Sequence, residues 1–183
     1  TINSRSNRHR EYFERVTELI PKEYHQYIAE FVIFESGRDE IGAFVETEIP
    51  YKNRWRFAVN EEELRHPFKS SLSGELIVHE FSHIFSLHEV FTSRQPDNCH
   101  SFFDEIGCVS PDTMYGKFLA EFWTDELLDE AEYIQNARNQ ERAIEEFYER
   151  YEDDFVTQYA SSQPAEDFAE SFTHYVLYDD LSY

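Results

Sequence analysis

Basic residues are scarce in this chain. Sixteen lysines and arginines stand against 38 aspartates and glutamates, which gives a formal net charge of −22. A field of this sign repels the phosphate backbone of nucleic acids and the headgroups of anionic lipids. We therefore expect no nucleic-acid partner. The same field would concentrate cationic peptides or metal ions near the surface, although an excess of charge often serves only solubility.

Long hydrophobic runs are also lacking. No run approaches the ~20 apolar residues that span a bilayer, and the first ten residues, TINSRSNRHR, have no apolar signal-peptide core. We therefore expect no membrane insertion. The chain begins with Thr rather than Met, which is compatible with an upstream signal removed by processing. Its 183 residues suit one domain, and no feature indicates an oligomeric state.

Cysteine occurs only twice, as Cys99 and Cys108 in the segment DNCHSFFDEIGCVS. Both lie in one irregular segment bounded by turn-forming residues, which favours a disulfide between them. A disulfide would indicate an oxidising compartment, whereas two reduced thiols in a cytosolic protein are the alternative. A structural zinc knuckle would need further cysteines that the chain does not have.

Hydrophobic periodicity predicts the α+β class. Three short runs rich in Val, Phe and Ile are predicted strands: residues 31–36, 43–49 and 54–60. Helical patterns cover residues 8–30 with a break at Pro21, and then 74–89, 115–136, 139–151 and 164–178. Strands grouped before a run of helices indicate a small N-terminal sheet followed by a helical part.

The motif VHEFSH, residues 78–83, carries the clearest chemical signal. Its helix is apolar around most of its circumference, which predicts burial. His79 and His83, one turn apart, can direct both imidazoles at one cation, with zinc ~2.0–2.1 Å from each nitrogen. Glu80 would then act as general base towards a zinc-activated water. A pair of hydrogen-bonded core histidines is the alternative.

A catalytic zinc needs a third protein ligand, and several candidates fail. The histidine-only pattern would place Gly at 86 and His at 89, where the chain has Ser86 and Glu89. His88 follows His83 by five residues and points away from the zinc face of the helix. Glu105 lies in the cysteine segment and has no acidic residue four positions further on.

Two carboxylate pairs remain, each one helical turn apart. Glu121 and Asp125 lie in EFWTD, and Glu166 and Glu170 lie in EDFAE. The second pair is favoured because Pro164 suits a first helical turn and an apolar stripe adjoins the carboxylates. Glu166 would bind the metal, and Glu170 would accept a hydrogen bond from a ligand histidine. The EFWTD pair precedes further acidic residues, which indicates a solvated face.

VHEFSH and the later segment QYASSQPAEDFAESF together resemble the gluzincin metallopeptidases, most closely the lethal-factor-type branch of secreted bacterial zinc peptidases. That branch has a tyrosine seven residues before the ligand glutamate, where this chain has Tyr159. The resemblance implies one Zn²⁺ ion bound by His79, His83 and Glu166, with Glu80 as base, Tyr159 as oxyanion donor and Glu170 beside a ligand. The segment between His83 and Glu166 is longer than in the toxin-like members.

The resemblance also implies a zincin-like architecture in a single domain over residues 1–183. Its parts would be a helix and sheet (1–72), an active-site helix (73–89), a cysteine loop (90–114) and a helical part with the third ligand (115–183). In this class an edge strand pairs with the extended substrate, and RWRFAVN (54–60) is the candidate by analogy. Arg54 and Arg56 on that strand would either contact substrate carboxylates or form salt bridges with neighbours, and the salt-bridge interpretation is favoured.

The predicted function is therefore that of a zinc-dependent endopeptidase acting on a peptide or protein, in a secreted or surface-exposed bacterial protein. The alternative is a catalytically silent zincin-like metal-binding or interaction module, or a domain of a larger toxin. A silent module is expected to lose its base or a ligand, and the presence of Glu80 favours the enzyme.

Overall fold

The computed structural model describes residues 4–35, 41–47, 54–65, 72–88, 99, 102–104 and 107–178. The chain divides into two compact units, Thr1–His88 and Glu89–Tyr183. Six α-helices and five short strands make the described structure α+β, as the periodicity predicts. The single domain expected over 1–183 stays a prediction. No described helix is long and apolar enough to cross a membrane.

The first unit contains two α-helices and a three-stranded sheet. Its regular elements are α1 (Ser4–Leu19), β1 (Ile28–Phe34), β2 (Ala43–Thr47), β3 (Trp55–Asn60) and α2 (Leu72–Leu87). Two short 3-10 helices, Lys22–Tyr27 and Glu63–Arg65, complete it. The predicted break at Pro21 is confirmed: α1 ends at Leu19, because proline disfavours helical backbone in the residue that precedes it. The helix predicted beyond the break to residue 30 is wrong in part, because only a 3-10 helix follows and β1 begins at Ile28.

The sheet has the strand order β1-β3-β2, with β3 parallel to β1 and antiparallel to β2. The prediction that residues 54–60 form a substrate-binding edge strand is therefore wrong, because β3 is paired on both sides. Its residues Phe57, Ala58 and Val59 are all completely buried, as on a strand covered on both faces. β1 and β2 are the outer strands of the described sheet.

The two arginines of this strand differ. Arg56 forms cross-strand ion pairs with Glu30 on β1 and with Glu46 on β2, as the salt-bridge interpretation expects. Arg54 precedes the strand and is exposed. Neither residue contributes to an edge that could receive a peptide.

The second unit is mainly helical. Its elements are β4 (Phe103–Asp104), β5 (Gly107–Cys108), α3 (Met114–Phe122), α4 (Asp125–Asn136), α5 (Gln140–Tyr151) and α6 (Pro164–Leu177). A disulfide joins Cys99 to Cys108, with the sulfurs 2.07 Å apart, as favoured from the sequence. It anchors the β4–β5 hairpin at the start of this unit.

The single helix predicted over 115–136 is wrong in one respect, because it is two helices. α3 ends at Phe122, and Thr124 caps α4 by accepting a hydrogen bond from Leu127 N at 3.3 Å. Threonine is favoured at the N-cap position because its hydroxyl accepts a hydrogen bond from a backbone N–H that has no partner in the first turn. The apolar periodicity continues across this break, so it does not reveal the cap.

Candidate metal centre

Helix α2 places the VHEFSH motif among buried apolar side chains. Ile77 and Ile84 have no exposed surface, and His79 and Glu80 between them are only 8% and 6% exposed. His83 is half-buried one turn later. Polar groups at such depth lose hydration and must be compensated by hydrogen bonds, charges or a metal ion.

The two imidazoles of the motif converge. His79 Nε2 lies 3.3 Å from His83 Nε2, and the ring planes are inclined at 80°. Two nitrogens bound at 2.0–2.1 Å to a tetrahedral zinc ion are about 3.3–3.4 Å apart, so the separation fits a shared cation. A hydrogen bond between the rings would require one of these nitrogens to carry a proton, whereas a cation requires both as electron-pair donors.

Two serines of α2, Ser82 and Ser86, are hydrogen-bonded to the helix backbone. Ser82 Oγ donates to the carbonyl of His79 at 2.6 Å, and Ser86 Oγ donates to the carbonyl of His83 at 3.3 Å. These hydroxyls are therefore satisfied within the helix that carries the histidines. Ser86 occupies the position at which the histidine-only zinc pattern would have glycine.

His88 lies at the C-terminal end of α2. Its Nδ1 is 3.1 Å from the carbonyl oxygen of Ile84 and 3.0 Å from that of Phe85. Its ring packs against the rings of Tyr24 and Tyr27. These contacts agree with the interpretation of His88 as a structural histidine at the end of the helix.

Tyr12 of α1 contributes a neutral hydroxyl near the general-base candidate. Burial raises its pKa strongly, and the negative charges of Glu63 and Glu80 raise the pKa further. Its buried hydroxyl has no hydrogen-bond partner among the described residues. The hydroxyl of Tyr12 is therefore held in its neutral, protonated form at neutral pH.

The first turn of α6 carries the candidate third ligand. Pro164 begins the helix, and the carbonyl of Gln163 accepts hydrogen bonds from the backbone of Glu166 and Asp167. The Glu166 side chain is 8% exposed, and Gln163 Nε2 donates to its Oε1 at 3.2 Å. An acidic side chain is favourable here because the helix N-terminus carries partial positive charge.

Asp167 holds the neighbouring part of α6. Trp123 Nε1 donates to its Oδ2 at 2.9 Å, and Ser171 Oγ donates to its Oδ1 at 3.3 Å. Burial raises the pKa of Asp167 to about 6, while the two hydrogen bonds oppose that rise. Trp123 belongs to the EFWTD segment interpreted as solvated, yet its indole is buried and fixes α6.

Glu170 is connected to the turn that carries Tyr159. Thr157 Oγ1 donates to Glu170 Oε2 at 2.8 Å and accepts a hydrogen bond from Ala160 N at 3.0 Å. Tyr159 lies inside this turn and is 55% exposed. The contact of Glu170 with a ligand histidine stays a prediction. The sequence does not indicate a role for Thr157, because a threonine in a loop carries no distinctive signal.

The rejected ligand candidates have different outcomes. Glu121 and Asp125 are both exposed, which agrees with a solvated acidic face. Glu105 lies outside the described residues. Neither Glu121 nor Asp125 therefore has the burial that sets Glu166 apart.

His79, His83 and Glu166 each offer one atom that can bind a metal, and the three atoms lie within 4.8 Å of one another. Two imidazole nitrogens and one carboxylate oxygen are a donor set found in catalytic zinc sites, where the fourth position is left for water or substrate. The described side chains therefore fit the metal that the sequence predicts.

No protein-family model, curated protein or solved structure matches this chain. The function is therefore inferred from the chemistry of the grouped side chains alone.

Proposed function

We propose that this protein is a zinc-dependent endopeptidase of the gluzincin type with a zincin-like fold. His79, His83 and Glu166 would bind one Zn²⁺ ion. The observation that carries the proposal is the grouping of their three ligand atoms within 4.8 Å. Support also comes from the 3.3 Å separation of the two histidine nitrogens, which is the spacing expected of adjacent zinc ligands.

Three protein ligands suit a catalytic rather than a structural site, because structural zinc is usually held by four. When bound, zinc would lower the pKa of a water molecule from ~15.7 towards ~7 and polarise a substrate carbonyl. The residues of the chain supply the remaining requirements: a base, a donor for the oxyanion and a surface for the substrate.

Glu80 is the proposed general base. It directly follows His79 on α2 and is almost completely buried. Its carboxylate would take a proton from the attacking water and deliver it to the nitrogen of the leaving amine. The water molecule supplies the hydroxyl that forms the new carboxyl group, so both halves of the cleaved peptide bond are completed.

Tyr159 is the proposed donor to the tetrahedral oxyanion. Its exposure leaves the phenol accessible to a substrate, and Thr157 fixes the turn on which it lies. A hydroxyl already in place when negative charge develops on the carbonyl oxygen stabilises the transition state more than the ground state.

The structure changes the proposed binding strand for the substrate. β2 is an outer strand of the described sheet, and it belongs to the same unit as α2. A Cβ placed on Gly42, beside the start of β2, would lie 3.3 Å from Leu76 Cδ2 of α2, so the strand begins close to the motif helix. An extended peptide could add to the outer edge of β2 through main-chain hydrogen bonds.

An oxidising location forms part of the proposal. The Cys99–Cys108 disulfide is of the kind that persists in secreted and surface-exposed proteins and is uncommon in the cytosol. A secreted or surface-exposed peptidase agrees with this chemistry.

The test is digestion of a peptide library by the zinc-loaded wild type and by Glu80→Gln. We expect Glu80→Gln to lose roughly 10²–10⁴-fold in kcat, the range for a general base, and to retain its zinc. Glu75→Gln on the same helix is the matched control and should remain active. Equal cleavage by wild type and Glu80→Gln would refute the mechanism, and zinc binding without cleavage by the wild type would favour the silent module.

A further inference from the structure

The second unit contains a cavity of about 520 Å³ between β4, α4 and the start of α6. Its volume lies within the roughly 300–1,000 Å³ typical of small-ligand sites. The described residues that line the cavity all belong to this unit, and none of them lies on the motif helix or is Tyr159.

The walls of the cavity are apolar on several sides. Phe103 of β4, Leu128 of α4 and Pro164 of α6 all line it. These side chains offer contact to a hydrocarbon chain but cannot solvate a charge. A ligand that fills the cavity therefore needs an apolar portion.

Carboxylates supply the charged part of the lining. Asp104, Asp129 and Glu132 lie on the cavity wall, and no described lining residue is basic. The hydroxyl of Tyr115, which is completely buried, donates to Asp104 Oδ2 at 3.2 Å and so orients one of these carboxylates. The lining therefore favours a cationic group and disfavours an anionic one.

Lysine and arginine side chains combine the two requirements. Each has an apolar stem that can lie along apolar walls and a cationic end that remains among polar groups. A purely aliphatic side chain would match the walls and leave the carboxylates without a counter-charge. An acidic side chain would be repelled by them.

Gln163 links this cavity to the proposed metal centre. Gln163 lines the cavity, and its Nε2 donates to Oε1 of Glu166, the proposed third ligand, at 3.2 Å. A side chain in the cavity would therefore belong to a substrate residue close to the cleaved bond.

We propose that the cavity is a subsite for a lysine or arginine side chain of the peptide substrate. The inference rests on the proposed peptidase function, and it names the substrate class that the site selects. The carboxylates of the cavity also give a local cause for a preference for cationic substrates, which the net charge of −22 supports only in general terms.

The experiment compares peptides that differ at one position, with lysine or its uncharged analogue norleucine on either side of the cleaved bond. Two readouts are measured: kcat/KM with the wild type, and peptide affinity for metal-free Glu80→Gln protein by calorimetry. We expect lysine to be preferred roughly tenfold at one position, since partly exposed ion pairs each contribute modestly. The double variant Asp129→Asn, Glu132→Gln should lose that preference.

The matched control is Glu121→Gln, Glu126→Gln. It removes the same charge from exposed carboxylates that do not line the cavity, and it should keep the preference. If the wild type cleaves both peptides equally well, or the cavity variant keeps the preference, the inference fails while the peptidase function stands.

If no peptide is cleaved by the zinc-loaded wild type, the peptidase function fails. The calorimetric comparison still tests whether the cavity binds a cationic side chain. A lysine preference in binding that disappears in the cavity variant would support a cationic side-chain site. Equal affinities for the lysine and norleucine peptides would overturn it.

Discussion

At the residue scale, the candidate ligand Glu166 depends on neighbours that orient it. Gln163 donates to its carboxylate, and the next residue, Asp167, is fixed by the Trp123 indole. A buried carboxylate without such partners would carry a large desolvation penalty. The first turn of α6 is therefore held in place by side-chain contacts as well as by its backbone.

Replacement of Tyr159 by phenylalanine tests the proposed oxyanion donor. The hydroxyl would act only as negative charge develops, so its loss should lower kcat by about 10²–10³-fold, or ~2.7–4 kcal/mol. Zinc content should not change. Steady-state kinetics with a cleaved peptide provide the measurement.

Tyr133→Phe is the control for that variant, since Tyr133 on α4 is 67% exposed and should tolerate the change. An unchanged kcat in Tyr159→Phe would remove Tyr159 from the mechanism and leave it as a surface aromatic.

Some of these residues can be identified from the sequence and others cannot. His79, Glu80 and His83 are identifiable because a four-residue spacing on an apolar helix places two ligands on one face. The Trp123–Asp167 hydrogen bond joins residues 44 positions apart, and no local pattern specifies such a contact. Its formation depends on tertiary packing.

At the element scale, helix α3 begins in close contact with the segment before it. A Cβ placed on Gly116 would lie 2.1 Å from the carbonyl oxygen of Ser110 and 2.8 Å from Pro111 Cα. Both are backbone atoms, which cannot move aside as a flexible side chain can. Thr113 caps this helix by accepting a hydrogen bond from Gly116 N at 3.0 Å.

Gly116→Ala should therefore destabilise the protein. Overpacking against fixed backbone costs typically ~1–3 kcal/mol, so the midpoint of denaturant unfolding should fall. Gly74→Ala is the opposite case, because a Cβ there meets nothing within 4 Å and alanine favours helix α2. A midpoint unchanged in Gly116→Ala would show that the start of α3 can rearrange.

The types of element follow from the sequence more closely than their pairing does. The spacing of apolar residues predicts α5 and α6 with bounds within a residue or two of those observed. The prediction of an edge position for β3 is wrong, because β3 lies between β1 and β2. A short apolar strand has the same composition in either position, and only the pairing partners decide.

At the scale of the whole molecule, each unit contains a tyrosine that resists ionisation. Burial raises the pKa of Tyr12 in the first unit and of Tyr115 in the second, and nearby carboxylates raise both further. An unfolded tyrosine ionises near pH 10. The folded state therefore binds protons more tightly than the unfolded state above that pH.

The raised pKa values of these tyrosines should therefore contribute fully to the free energy of unfolding below pH ~10. That contribution should be lost as the pH rises beyond it. Chemical denaturation at pH 9 and pH 11 measures the change. Tyr12→Phe should show a smaller fall than the wild type, whereas Tyr175→Phe, with 67% exposure, should match the wild type. An equal decrease in the free energy of unfolding in all three proteins would contradict the raised pKa of Tyr12.

The fold class and the functional centre also differ in how far the sequence predicts them. Composition and periodicity give α+β, because they report burial along each element. For the third ligand the sequence offers two carboxylate pairs with the same four-residue spacing, Glu121 with Asp125 and Glu166 with Glu170. Burial separates them in the structure, and burial depends on the packing of α6.

The most direct test of the account is the zinc content of the purified protein, measured by elemental analysis beside Glu166→Ala and Glu121→Ala. We predict one zinc ion per chain in the wild type and in Glu121→Ala, with weakened binding only in Glu166→Ala. Loss of zinc in Glu121→Ala but not in Glu166→Ala would move the third ligand to EFWTD. No zinc in any of the three proteins would contradict the metal centre and leave His79 and His83 as a buried pair.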